Sequence, residues 1–145
     1  MRYNKLGRTG LFVSELCLGT MTFGEAGGSM WANIGQLGQG DVDALMKTAL
    51  DAGINFIDTA NVYSFGTSEE VTGQAIRNLG IAREEIVLAT KVMGPMGEGI
   101  NNRGASRGHI MDQAKASLKR LGTDHIDLYL LHWRGSHPLS ETVAA

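Results

Sequence analysis

The chain has 145 residues, enough for one domain that buries roughly 70% of its unfolded surface. Its 13 Lys+Arg and 15 Asp+Glu leave a formal charge of −2 with no long run of either sign, which argues against nucleic acid or an anionic membrane as partner. The polar start Met1-Arg2-Tyr3-Asn4-Lys5 is unlike a signal peptide, and no segment approaches about 18 uninterrupted apolar residues, so no membrane span is expected.

The single cysteine, Cys17, cannot form an internal disulfide. Within Leu16-Cys17-Leu18 it is expected to pack as a small hydrophobe, in a reducing and therefore cytoplasmic compartment. Glycine is the unusual residue, 20 of 145, where the average share is roughly 7%. Many short elements joined by tight turns follow from that excess.

Tyr3 to Leu6 and Leu11 to Val13 flank Gly7-Arg8-Thr9-Gly10 and predict a small β-hairpin that plugs or caps something larger. Ser14 to Thr20 reads as a short buried strand ending in Gly19-Thr20, and Met21 to Gly40 as a long glycine-rich loop around Trp31. A loop of that length is usually functional or mobile. Asp41 is positioned to cap a helix whose apolar residues Val42, Leu45, Met46, Ala49 and Leu50 share one face, with Gly53 as its stop. Phe56 to Asp58 is the next strand. Ser68 is the expected cap of a second helix through Val71, Ala75, Ile76 and Leu79, stopped by Gly80. Glu85 to Lys91 predicts a third strand, Ser106 to Leu121 a capped third helix stopped by Gly122, and His125 to His132 a fourth strand. Pro138 suits the first turn of a fourth helix that Ala145 leaves short of three turns.

Strand then helix, four times, demands a parallel sheet with helical crossovers. A doubly wound nucleotide fold needs G-x-G-x-x-G after its first strand, and neither Gly19 nor the loop glycines fall on that spacing. Polar groups stand instead at the same end of each strand: Gly19-Thr20, Asp58, Lys91 and His132. A (β/α)₈ barrel, whose site is assembled from several strand ends, has that character.

Asp58, Tyr63, Lys91 and His132 converge if the four strands are neighbours. The set suits a tyrosine acting as a general acid. A free phenol titrates near 10, too high to exchange its proton readily near neutrality. An ammonium roughly 4 Å from a phenolate contributes about 4 kcal/mol at an effective dielectric of 20, so one close lysine is enough in size. Asp58 would hold Lys91 charged and oriented, and His132 would share the proton or hydrogen-bond the substrate oxygen.

At these residues the chain resembles the aldo-keto reductases. Leu16-Cys17-Leu18-Gly19-Thr20-Met21, Gly53 to Tyr63, Ala89-Thr90-Lys91-Val92 and Asp124 to Trp133 match that family's motifs in order and at matching intervals. The resemblance covers essentially the whole chain, read as a single partial domain at 1–145. It implies about the first four of the eight β/α units of a TIM barrel, preceded by the hairpin. It also implies reduction of aldehydes or ketones with NADPH, NADH not being excluded. Carried over by position, Tyr63 is the acid, Lys91 and Asp58 tune it, and His132 orients the carbonyl. Gly19, Thr20 and Met21, with Asp58, would line the nicotinamide, and Trp31 or Trp133 the substrate pocket.

The family's main grip on the cofactor lies in a half of the barrel that this chain does not contain. A fragment incompetent by itself is therefore one alternative, and its open sheet edges and apolar inner face would favour self-association or pairing with a C-terminal half. A cofactor-sensing regulatory subunit, like the potassium-channel β subunits of the same family, is another.

Taken singly, the four residues have plainer readings: a capping aspartate, a loop-covering tyrosine, a solvated lysine and a core histidine. Four such residues at one edge outweigh those readings. His109, His125 and His137 have no metal-ligand spacing with one another or with Cys17, and no metal is expected. Glu69-Glu70 reads as a helix start, and Arg83-Glu84-Glu85 as a solvated rim.

Overall fold

The structure is a computed structural model that describes residues 1–25, 34, 36–136 and 138–145. It opens with the expected hairpin, β1 (Tyr3–Lys5) antiparallel to β2 (Phe12–Ser14). Asn55 holds this hairpin at the entry to the second sheet strand, accepting from Ser14 N at 2.8 Å and donating to Phe12 O at 3.1 Å. Tyr3 Oη adds a bond to Gly53 O at 2.7 Å. The hairpin therefore caps the end of the sheet opposite to the ionisable residues.

Four parallel strands follow: β3 (Leu18–Gly19), β4 (Phe56–Asp58), β5 (Val87–Val92) and β6 (Leu128–Leu131). Their spatial order is β3-β4-β5-β6, the order of the chain, with α1 (Gln39–Asp51), α2 (Thr67–Asn78) and α3 (Arg107–Leu121) packed side by side as crossovers. A short α4 (Leu139–Val143) comes last. In a doubly wound sheet the order reverses at a switch point. Here it never does, so every right-handed crossover steps the same way, as in a barrel wall.

Strand alternation assigns the two faces. Ile57 and Leu88 are register partners and point at the helices, in a core with Phe23, Val42, Met46, Ala75 and Ile76. Asp58 and Lys91 lie an odd number of positions away from them and so project from the other face. One face of the sheet thus carries the apolar core, and the other carries the ionisable groups.

Several local expectations shift. Helix α1 starts at Gln39 with Gly38 at its cap, so Asp41 sits in the first turn rather than capping it. Helix α2 starts at Thr67 behind Gly66, and Ser68 is inside the helix and fully buried. Its hydroxyl donates to Thr20 O at 2.7 Å, tying the helix to the end of β3. Ser14 belongs to the hairpin, which shortens β3, and the 3-10 turn Arg83–Glu85 delays the start of β5 to Val87. Strand β6 begins at Leu128 rather than at His125.

Ser106 caps α3 as expected, accepting from His109 N at 3.3 Å. Gly122 ends that helix with φ +68, and Thr123 N bonds back to Leu118 O, a closure that a left-handed glycine makes possible.

Of the expected solvated rim, Glu84 and Glu85 are exposed but Arg83 is structural. Arg83 donates to Asp127 Oδ2 at 2.5 Å, and the same oxygen accepts from Leu88 N, joining β5 to the entry of β6. Glu69 is fully buried between Thr90 and Arg120. Arg83 had looked solvent-facing because its partner Asp127 lies tens of residues away in the chain, whereas Glu69 does stand in the first turn of α2 as expected.

Candidate active site

The turn after β4 continues alongside β5: Thr59 N donates to Ala89 O and Asn61 N to Lys91 O. Those bonds carry Tyr63 back over the strand that bears Lys91. Ser64 (φ 48) and Phe65 (φ 51) then take left-handed conformations in succession, and Gly66 (φ 98) follows. Two non-glycine residues in that region cost roughly 1–2 kcal/mol each, a strain of the kind that collects at functional sites.

Lys91 Nζ is the hub. It donates to Asp58 Oδ2 at 2.6 Å, to Thr59 O at 2.9 Å and to Tyr63 Oη at 3.3 Å. An ammonium has three protons, so these acceptors occupy it fully and fix its direction. It also lies 5.0 Å from the Tyr63 ring centroid. The phenol accepts from Lys91, so that contact does not consume the phenol's own proton. Tyr63 is buried at 8% exposure, while the Asp58 side chain keeps 28%, leaving the cluster open on one side.

His132 follows β6, its N donating to Val92 O at 3.0 Å as a continuation of the ladder. Its ring meets Tyr63 edge to face, with centroids 5.5 Å apart. Burial, and then the Lys91 charge, hold the imidazole below its ordinary range, with Asp58 pulling the other way. The ring is therefore neutral at physiological pH. Its Nδ1 is buried with no hydrogen-bond partner among the described residues. Trp133 packs on His132 with centroids 5.0 Å apart and is half exposed.

The structure thus brings Asp58, Tyr63, Lys91, His132 and Trp133 together. Trp31 and His137 lie outside the described residues. Gly19 and Met21 are exposed at the same edge. Thr20 is not available beside them: it is fully buried, and its hydroxyl lies 3.0 Å from Ser68 Oγ. Its part is to lock β3 to β4 and α2, since its N also donates to Asp58 O. Cys17 is exposed rather than packed, because it shares the helix-free face with Gly19 and Asp58. Partial burial, and then the Asp58 charge, push its thiol up to about 11.

Sequence reasoning missed the Thr59 carbonyl, because a backbone acceptor leaves no mark in composition. Among the described residues no group of three His, Cys, Asp or Glu could hold a metal ion, and no helix is long and apolar enough to cross a membrane.

A model of the Aldo/keto reductase family matches residues 15–145. A protein of Oryza sativa subsp. japonica named "Probable voltage-gated potassium channel subunit beta" is 42% identical over 147 residues, covering 100% of this chain and 42% of that relative. The aldo-keto reductase YhdN of Bacillus subtilis (strain 168) is 40% identical over 133 residues, 92% of this chain and 38% of the relative. Among solved structures, aldo-keto reductase AKR11C1 from Bacillus halodurans (holo form) matches with a TM-score of 0.80 at 34% identity, over 99% of this chain and 44% of that one. The chain spans less than half the length of these relatives, and its strands are the first β/α units of a TIM barrel. It belongs to the aldo/keto reductase family.

Proposed function

We propose that this chain carries the proton-donating half of a nicotinamide-dependent carbonyl reductase, with Tyr63 as general acid. The observation that carries the reading is Lys91 Nζ held at once 2.6 Å from Asp58 Oδ2 and 3.3 Å from Tyr63 Oη. Lys91 polarises the phenol toward release of its proton, Asp58 keeps the ammonium charged and directed, and the neutral His132 orients the carbonyl oxygen. Burial of Tyr63 keeps water from competing for that proton.

NADPH, or NADH, fits the reacting end: Gly19 and Met21 are exposed at the edge that carries the partly exposed Asp58, and the same cluster holds the unpartnered His132 Nδ1. When bound, the nicotinamide supplies the hydride for the carbonyl carbon. The substrate class is a small aldehyde or ketone, reduced to its alcohol.

The assay is NADPH oxidation with 4-nitrobenzaldehyde. Tyr63→Phe and Lys91→Met should each lower kcat by roughly 10²–10⁴-fold. A rate unchanged in Tyr63→Phe removes the assignment.

A second reading is a cofactor-sensing regulatory subunit, and the rice relative's name, a probable voltage-gated potassium channel subunit beta, supports its channel-subunit part. A channel copurifying with the chain supports it. A third is that this length is incompetent alone and works only against the rest of a barrel or a second copy. The exposed Leu16, Met21 and Leu131 favour such pairing. Light scattering across a concentration series tests it, and a compact monomer at high concentration contradicts it.

A further inference from the structure

Beside the Tyr63 cluster lies a groove of about 540 Å³ between the loop after β5 and the segment after β6. Its walls combine apolar surface, including Met93, Ile100 and Trp133, with the polar side chains of Asn101 and Arg103. Ile100 is 86% exposed and Trp133 49%, so the groove's walls carry bare apolar surface. The groove's wall packs against the turn that carries the acid. Gly94, next to Met93, packs so tightly on Val62 that a Cβ there would come within 2.8 Å of its Cγ2 and 3.6 Å of the Trp133 ring. Val62 immediately precedes Tyr63, and Trp133 packs on His132.

The charge in this groove is one-sided. No acidic residue lines it, although Glu98 belongs to the same loop. The Arg107 guanidinium, nearby in sequence, is spent on the carbonyls of Ala144 and Ala145. Arg103 makes no side-chain hydrogen bond or ion pair among the described residues. A planar fork of donors without an acceptor, in a groove that an indole also lines, matches a carboxylate carried on an aromatic ring.

We infer that the groove selects anionic aromatic carbonyl compounds, Arg103 binding the carboxylate and Trp133 and Ile100 the ring. The inference rests on the carbonyl-reductase reading and names its substrate class. In a half-open groove the charged bond is screened, so the preference is modest, about fivefold in affinity.

The test is a titration of the 5-fluorotryptophan-labelled chain by ¹⁹F NMR, the Trp133 resonance being assigned with Trp133→Phe. Benzoate should shift that resonance saturably, with a Kd about fivefold below that of its neutral counterpart benzamide, and Arg103→Gln should erase the difference while Arg103→Lys keeps part of it. Equal constants for the two ligands, no shift with either, or a preference that survives Arg103→Gln overturns the inference. In the reductase assay, Arg103→Gln should raise KM for 4-carboxybenzaldehyde and leave both kcat and the KM for 4-methylbenzaldehyde unchanged. Anion-selective binding without any turnover removes the reductase reading and leaves the groove. Turnover indifferent to the carboxylate removes the groove and leaves the reductase.

Discussion

Arg120 Nε lies 2.6 Å from Glu69 Oε2, and that carboxylate has no exposed surface at all. The pair joins α3 to α2, and Thr90 Oγ1 donates to the other carboxylate oxygen at 2.5 Å. Thr90 is the neighbour of Lys91, so the ion pair holds the strand that aims the ammonium. Removing one partner strands a buried charge. Arg120→Met should cost about 3–5 kcal/mol in urea unfolding, and adding Glu69→Gln should restore most of it, because a neutral amide is far cheaper to bury alone. Equal stability of the single and double variants would show that the charge is not what matters.

The left-handed Phe65 offers a cleaner test of strain. Its side chain is 56% exposed, so replacing it loses little packing, and glycine adopts φ 51 without penalty. Phe65→Gly should leave stability unchanged or raise it by up to about 1 kcal/mol, because glycine's greater freedom in the unfolded chain offsets part of the relief. The thermal midpoint checks this. A drop of several degrees would mean that the ring packs on something the turn needs.

Two histidines, His109 buried and His132 partly buried, give the fold an acid-labile side. His132 and His109 are both held below the ordinary 6.5, burial being the first cause in each. Between 6.5 and those lowered values the unfolded chain binds more protons than the folded one, so stability falls as pH drops below about 6.5 and is fully present above it. His109→Leu removes one titrating ring, together with an unpaired buried Nε2, and should flatten the decline. Urea midpoints at pH 7.5 and 5.5, compared between parent and variant, measure it.

Cys17 reports on Asp58. The thiol is exposed but pushed up to about 11, so alkylation by iodoacetamide at pH 8 should run on the order of 100-fold slower than for a free cysteine. Asp58→Asn removes the second-largest cause, the nearby carboxylate charge, and should speed the reaction. An unchanged rate would place Asp58 and Cys17 too far apart to interact.

The four-fold strand and helix alternation was legible because apolar periodicity and glycine stops are local signals: Gly53, Gly80 and Gly122 all adopt positive φ where a helix ends. Helix starts were less legible. Asp41 and Ser68 are good capping residue types, yet Gly38 and Gly66 hold those places, because contacts from Thr20 and Val71 decide where the chain enters each helix. Thr20 shows the limit most clearly. Its place at a strand end suggested a cofactor wall, and only the approach of Ser68, 48 residues away, shows that its hydroxyl is already used.

The amino-acid sequence by itself determined a parallel α/β architecture and the residues of the ionisable edge, since both follow from periodicity and from the order of residues along single strands. Only the tertiary structure decided that Lys91 spends its three protons on Asp58, Thr59 and Tyr63, that Glu69 is buried against Arg120, and that Arg103 is left unpaired above a bare apolar groove. Those are distances between groups far apart in the chain, set by the closeness of packed strands and helices, and no local pattern encodes them.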